Sequence, residues 1–219
     1  MTETEPLAAL HAKIATIAKR SNRKAEDVAL IAISKTYGEE AIRPLIAAGH
    51  RVFGENRVQE AAAKWPALVA ETPDIELHLV GQLQSNKADD AVALFSAIHS
   101  VDRSSLIMAL GKAQDKAGKR PRCFLQVNIG NEAQKGGCAV AEFPALLSEA
   151  RMAGLDMVGL MAVPPADTEA APYFALLAKL ARDNGLDELS MGMSADYEAA
   201  IMLGATYIRV GSALFGSRI

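Results

Sequence analysis

Apolar positions recur with two periods that take turns along the chain. From Leu7 to Lys19, Leu7, Leu10, Ile14 and Ile17 fall three or four residues apart, the spacing that places them on one face of a helix. Beyond this helix come eight short apolar runs, read as strands at 28–35, 51–55, 75–81, 97–101, 122–129, 155–163, 188–193 and 206–211. Segments of helical period separate them, at 39–48, 57–70, 86–94, 103–118, 139–152, 168–184 and 195–203. Gly49, Gly154, Gly185 and Gly204 stand where helices must stop, each just ahead of the next strand. Runs such as Cys123-Phe124-Leu125-Gln126-Val127-Asn128-Ile129 are rich in large or β-branched apolar residues, as expected of parallel strands covered by helices.

Eight strands alternating with helices, without a long linker, predict an α/β fold: one (β/α)8 TIM barrel over residues 1–219, preceded by an extra helix. A doubly wound open sheet is the alternative. Against it, no Gly-x-Gly-x-x-Gly follows the first strand. With 219 residues and 50% hydrophobic content the chain can bury a full core. It is short for a barrel, typically about 250 residues, and leaves little room for a second domain.

Charge and composition narrow the classes. A formal charge of −3 supplies no electrostatic reason to expect nucleic acid or an anionic membrane as partner. No run of about 18 apolar residues suggests a membrane span. The start, Met1-Thr2-Glu3-Thr4-Glu5-Pro6, lacks the basic-then-apolar order of a signal peptide, so a cytoplasmic protein is expected. Cys123 and Cys138 are too few for a disulfide framework and lack metal-ligand spacing; no metal cluster is visible.

In a barrel of this kind the site lies at the C-terminal ends of the strands. Residues falling there are Lys35, Gly54-Glu55-Asn56, Gly81-Gln82, Ser85-Asn86-Lys87, Asp102, Asn128, Met161, Ser194 and Arg209-Val210-Gly211-Ser212. Lys35 ends the run Val28–Lys35 and aligns with Ile31 and Ile33, so it carries an amine to the end of a buried row. Burial there would disfavour the ammonium and free a nucleophile for carbonyl chemistry. Taken alone, it reads first as a lysine that closes a strand and reaches for water. Met191-Gly192-Met193-Ser194 leads into a helix expected to begin near Ala195, with Ser194 as N-cap and free N–H groups facing an anion. Gly211 allows close backbone approach and Ser212 adds a hydroxyl. The bland counterpart is a serine cap and a turn glycine.

Arg209, flanked by Ile208 and Val210, points to the opposite face from both, which is the barrel interior if they pack against helices. A buried arginine needs a partner. Glu55 or Asp102 would serve a structural role; a ligand's aromatic ring nitrogen would serve a functional one. Lysine, arginine and phosphate cradle together suggest pyridoxal 5′-phosphate (PLP): aldehyde to Lys35, pyridine nitrogen to Arg209, phosphate to Ser194, Gly211 and Ser212. His78, between Leu77 and Leu79, reads as a satisfied core or strand-end histidine. Trp65 and the eight methionines read as packing.

The chain resembles the pyridoxal phosphate homeostasis proteins. The matching segments are Ala32–Thr36, Phe53–Glu60, His78–Gly81 with Leu83–Lys87, His99–Asp102, Gln126–Ile129, Gly159–Pro164, Leu189–Ser194 and Arg209–Gly216, in order over nearly the whole chain. The resemblance implies a barrel like the N-terminal domain of alanine racemase, with an internal aldimine on Lys35 and a ring nitrogen facing Arg209. The expected cofactor-binding set is Lys35, Asn56, Met193, Ser194, Arg209, Gly211 and Ser212. It also implies a monomer that binds and buffers intracellular PLP and influences vitamin B6 and amino-acid balance, with PLP-dependent apoenzymes as candidate partners and without an established reaction. Arg57, Leu77 and Gln82 depart from the family's usual tyrosine, tryptophan and proline.

Three functions follow as alternatives. The first is a PLP carrier. Arg209 beside the ring nitrogen would oppose its protonation and weaken it as an electron sink. The second is a weak amino-acid racemase, which needs another acid or base on the opposite face of the substrate. The third is a Schiff-base lysine acting on a phosphorylated sugar.

Overall fold

The computed structural model describes residues 5–215. Eight strands, β1 (Ala29–Ile33), β2 (Val52–Glu55), β3 (Glu76–Leu79), β4 (Ala97–Val101), β5 (Arg122–Gln126), β6 (Asp156–Met161), β7 (Glu188–Ser190) and β8 (Tyr207–Val210), form a closed barrel in sequence order. Every neighbouring pair is parallel, and β8 returns to β1 with Ile31 opposite Arg209 and Ala32 opposite Val210. That last pairing excludes the open doubly wound sheet. The helices are α1 (Glu5–Arg20), α2 (Glu39–Ala47), α3 (Val58–Glu71), α4 (Ala88–Leu94), α5 (Ser104–Ala117), α6 (Phe143–Met152), α7 (Ala171–Asp183), α8 (Tyr197–Met202) and the single turn α9 (Ser212–Phe215). Leu7, Leu10, Ile14 and Ile17 of α1 are buried, and that helix packs against α8. No helix among the described residues is long and apolar enough to cross a membrane.

Period two along the strands sorts side chains into two layers. Leu30, Ala32, Phe53, Leu77, Leu79, Leu125, Leu160, Ile208 and Val210 face the helices in the larger core. Ile31, Ile33, Ala97, Phe124, Met161 and Tyr207 fill the barrel interior. Gly54 is required there: a Cβ on it would lie 2.6 Å from Ile33 Cδ1 and 2.7 Å from Ile31 Cγ2. Two isoleucines from β1 occupy the volume that β2 leaves free.

Most expected boundaries hold to within a few residues, and the exceptions lie at the C-terminal rim. β1 ends at Ile33, not at Lys35, because Thr36 takes a positive φ of 68° and turns the backbone out of the sheet. β5 ends at Gln126, after which only an isolated bridge joins Val127 to Cys138. α6 begins at Phe143 and α7 at Ala171, each a few residues later than the apolar pattern suggests. α8 begins at Tyr197 with Asp196 as its N-cap residue, so Ser194 is not the cap. Asp196 Oδ1 accepts the N–H of Met193 at 2.6 Å and ties 193–196 into a turn ahead of the helix. The four glycines beyond helix ends have φ values of +90° (Gly49), +72° (Gly154), +64° (Gly185) and +103° (Gly204).

Candidate functional site

Lys35 sits in the turn between β1 and α2, half-buried, with no ion-pair or hydrogen-bond partner among the described residues. The turn is held from below. Ser34 Oγ donates to Glu55 Oε1 at 2.7 Å, and Lys64 Nζ donates to the carbonyls of Ser34 and Tyr37, both at 2.9 Å. Lys64 also pairs with Glu55 at 2.6 Å, and Trp65 Nε1 reaches the same carboxylate oxygen at 3.0 Å. Thr36 N–H donates to Glu60 Oε1 at 2.5 Å. Glu55 therefore faces α3 behind the sheet, fully buried, and takes no part in the pocket. This clamp fixes the backbone on either side of Lys35 while leaving its amine unengaged.

On the adjacent strand β8, Arg209 is 6% exposed and, as alternation predicts, points inward. Neither Glu55 nor Asp102 is its partner. Asp102 binds Arg103 at 2.6 Å and the Gly137 N–H at 3.2 Å instead. Arg209 Nη1 donates to Ser190 O at 2.6 Å and Ser190 Oγ at 2.7 Å, and Nη2 donates to Ala162 O at 2.9 Å. Three of the five guanidinium N–H groups are thus used, and one on Nη2 and that on Nε have no partner among the described residues. Burial lowers its pKa to about 10, only partly offset by the more distant Asp196. A buried cation held by neutral acceptors retains its charge for whatever occupies the pocket.

Between these groups lies a cavity of about 320 Å³ lined by Ile33, Lys35, Asn56, Val80, Val163, Met193, Ser194, Arg209, Gly211 and Ser212. All seven residues of the expected cofactor-binding set meet here, whereas Glu55, Gln82, Asp102, Asn128 and Met161, also expected at the strand ends, do not line it; Ile33, Val80 and Val163 add apolar walls. The hydroxyls of Ser194 and Ser212 lie 3.4 Å apart, bringing the ends of two loops together. A Cβ at Gly211 would press on Ile33 O at 3.2 Å, and Gly192, at φ +91°, makes the bend that precedes Met193. The set unites an amine, a buried cation with spare donors and a hydroxyl-lined corner. It fits a ligand with an aldehyde, a ring acceptor and an anionic tail, so the residues present fit PLP.

Other rim residues do different work. A second cavity of about 290 Å³ adjoins the first through Asn56, Val80 and Val163, and includes Gln82, Gln126, Asn128 and Lys135. Gln82 donates to Gln126 at 2.6 Å, while Asn128 holds its own loop through Glu132 O and Glu132 N. A cavity of about 940 Å³ is formed by 163–171 and 193–199 with Lys13 and Lys135, and neither Lys35 nor Arg209 lines it. Ser85–Lys87 form a 3-10 turn away from the cavity, and Lys87 faces Asp90 at 3.6 Å. Among the described residues there is no group of three or more His, Cys, Asp or Glu placed to hold a metal. Cys123 and Cys138 are free and buried, and burial pushes both thiols up to about 12. Sequence reading missed Lys64, Glu60 and Ser190, whose roles rest on neighbours 19 to 30 residues away.

Comparisons with known proteins place the chain in a family. By fold the chain is an alanine racemase N-terminal-type barrel: the family model for that domain matches residues 6–219. An alanine racemase of Clostridium difficile superposes with a TM-score of 0.70 at 13% identity, over 94% of this chain and 56% of that one, a likeness of fold alone. The pyridoxal phosphate homeostasis protein of Pseudomonas aeruginosa is 42% identical over 99% of this chain and 96% of its own length. PipY of Synechococcus elongatus is 40% identical; its structure without PLP matches with a TM-score of 0.86 over 97% of this chain and 99% of that one. Its structure with PLP bound matches at 0.80, over 93% and 100%. The chain belongs to the pyridoxal phosphate homeostasis protein family.

Proposed function

We propose that this protein binds and buffers PLP, holding it covalently through Lys35 and maintaining the supply of the cofactor to PLP-dependent apoenzymes. The observation that carries the reading is the pairing, in one cavity, of a lysine unengaged among the described residues with a buried arginine that has no carboxylate partner among them. Arg209 would meet the ring nitrogen with a donor, Ser194, Gly211 and Ser212 would hold the phosphate, and Asn56 and Met193 would flank the ring. When bound, PLP supplies an aldehyde that condenses reversibly with amines. Lys35 supplies the amine, and the clamp of Glu55, Glu60 and Lys64 keeps it at the mouth. The PLP-bound relative of the same fold and length supports the reading.

Carrying is favoured over racemisation by the lining of the cavity. Lys35 and Arg209 are its only titratable side chains among the described residues. An arginine cannot serve as the second proton donor and acceptor that racemisation requires. A single barrel acting as a monomer meets the needs of the carrier role.

The test is borohydride treatment of the protein mixed with PLP, followed by peptide mass spectrometry. A reduced adduct of PLP mass on Lys35, absent in Lys35→Ala, is the expected result. An adduct elsewhere, or none, rejects the assignment.

A further inference from the structure

Below the pocket floor a line of buried polar groups crosses the barrel interior, and the binding of PLP as described makes no use of it. Arg209 Nη1 lies 2.7 Å from Ser190 Oγ, Ser190 Oγ lies 2.8 Å from His99 Nδ1, and His99 Nε2 lies 3.0 Å from His78 Nδ1. Ser190, His99 and His78 have no exposed surface. The His99 ring stacks on Phe124, with centroids 4.1 Å apart and planes 17° from parallel, so its orientation is fixed by packing.

The hydrogens of this chain have one consistent arrangement. Arginine only donates, so Ser190 Oγ accepts from Arg209 and its own proton has a single acceptor within reach, His99 Nδ1. His99 is neutral, because burial and nearby cations push it well below 6.5. Its one ring proton is then on Nε2 and goes to His78 Nδ1, which leaves the proton of His78 on Nε2. That N–H is short of a hydrogen bond and faces Glu76 Oε2 at 3.7 Å, a carboxylate already held by Arg122 at 2.8 Å. The opposite arrangement would strand the Ser190 proton and turn the lone pair of His78 Nε2 toward a carboxylate. Every hydrogen therefore points from Arg209 toward Glu76.

Ile31, Phe124 and Tyr207 show that apolar side chains and rings fill this interior well. Burying a serine and two histidines beside them costs desolvation that hydrogen bonds must offset, and here those bonds run as one directed line ending on Arg209. A carboxylate against Arg209 would hold it but cancel its charge; a neutral oriented chain holds it and leaves the charge available to a ligand. We propose that His99, supported by His78, acts through Ser190 as a positioning residue that fixes Arg209 at the cofactor ring. The proposal rests on the PLP-binding reading of the pocket and adds residues that touch no cofactor atom.

Two measurements test it. In ligand-free protein, ¹⁵N NMR of the imidazole rings should show Nδ1 unprotonated and Nε2 protonated for both His78 and His99. In PLP titrations followed by absorbance, His99→Phe, which keeps the stack on Phe124, and Ser190→Ala should each weaken binding about five- to tenfold and shift the absorption maximum. The double variant should be no worse than either single one, and His99→Asn, with an amide oxygen in place of Nδ1, should stay close to the unsubstituted protein. If His99→Phe and Ser190→Ala leave affinity and spectrum unchanged while the unsubstituted protein takes up PLP, the positioning role is overturned and the pocket assignment stands. A protonated His99 Nδ1 overturns it as well. Failure of the unsubstituted protein to take up PLP would reject the pocket assignment itself, and the positioning role with it.

Discussion

Arg209 is placed by its neighbours as a planar fork, two donors toward Ser190 and one toward Ala162 O. Lysine offers the same charge from one point and cannot span acceptors on both sides. Arg209→Lys should therefore weaken PLP binding by tenfold or more and lower stability by about 1–3 kcal/mol, since a buried carbonyl or hydroxyl loses its donor. Fluorescence titration with PLP and a thermal melt check both; unchanged affinity would reduce Arg209 to a packing residue. The inward direction of Arg209 was legible from its place between Ile208 and Val210. Its partners were not. Glu55 and Asp102 were plausible by charge, yet the residues that hold Arg209 are a serine and two main-chain carbonyls. His78 read as a satisfied core or strand-end histidine; it is a core residue with Nδ1 bonded to His99, while its Nε2 has no hydrogen-bond partner among the described residues.

At the scale of elements, the turn after β1 depends on α3. Lys64 neutralises Glu55 and caps two carbonyls of the Lys35 turn, although nothing in the spacing of Lys64 distinguishes it from an exposed helix lysine. Lys64→Met leaves a buried carboxylate without its cation and should cost about 3–5 kcal/mol. Adding Glu55→Gln should recover much of that loss, because the uncompensated charge is then gone. Chemical denaturation of the single and double variants measures it; an additive double variant would contradict the coupling. Helix and strand order was legible because period 3.6 and period 2 report which face of each element is buried. The ends of β1, β5 and α8 were not, because Thr36, Val127 and Asp196 leave the regular pattern for loop-specific hydrogen bonds and turns.

The whole molecule carries four histidines, and all four are held below their ordinary value of 6.5 by burial. His50, pushed down to about 4, donates from Nε2 to Val52 O at 2.8 Å in its neutral form. As pH falls below 6.5 the unfolded chain takes up protons that the folded one refuses, so stability is lost until the folded value is reached. His50 alone accounts for about 3 kcal/mol of loss between pH 6.5 and 4. Glu188, whose carboxyl is raised by burial, acts in the opposite sense. Melting temperatures should fall from pH 7 to pH 5, and less steeply in His50→Gln, which keeps a donor for Val52 O; a flat profile would refute the linkage. The sequence by itself determined the barrel and the order of its elements, because alternation and strand order bring strand ends, Lys35 and Arg209 among them, to one rim; which seven of the rim positions form the cofactor set came from the family resemblance. Only the tertiary structure decided what holds Lys35 and Arg209 in place. Those partners, Glu55 with Lys64 and Ser190 with His99, come from different strands and helices, and their pairing depends on three-dimensional register that no local spacing encodes.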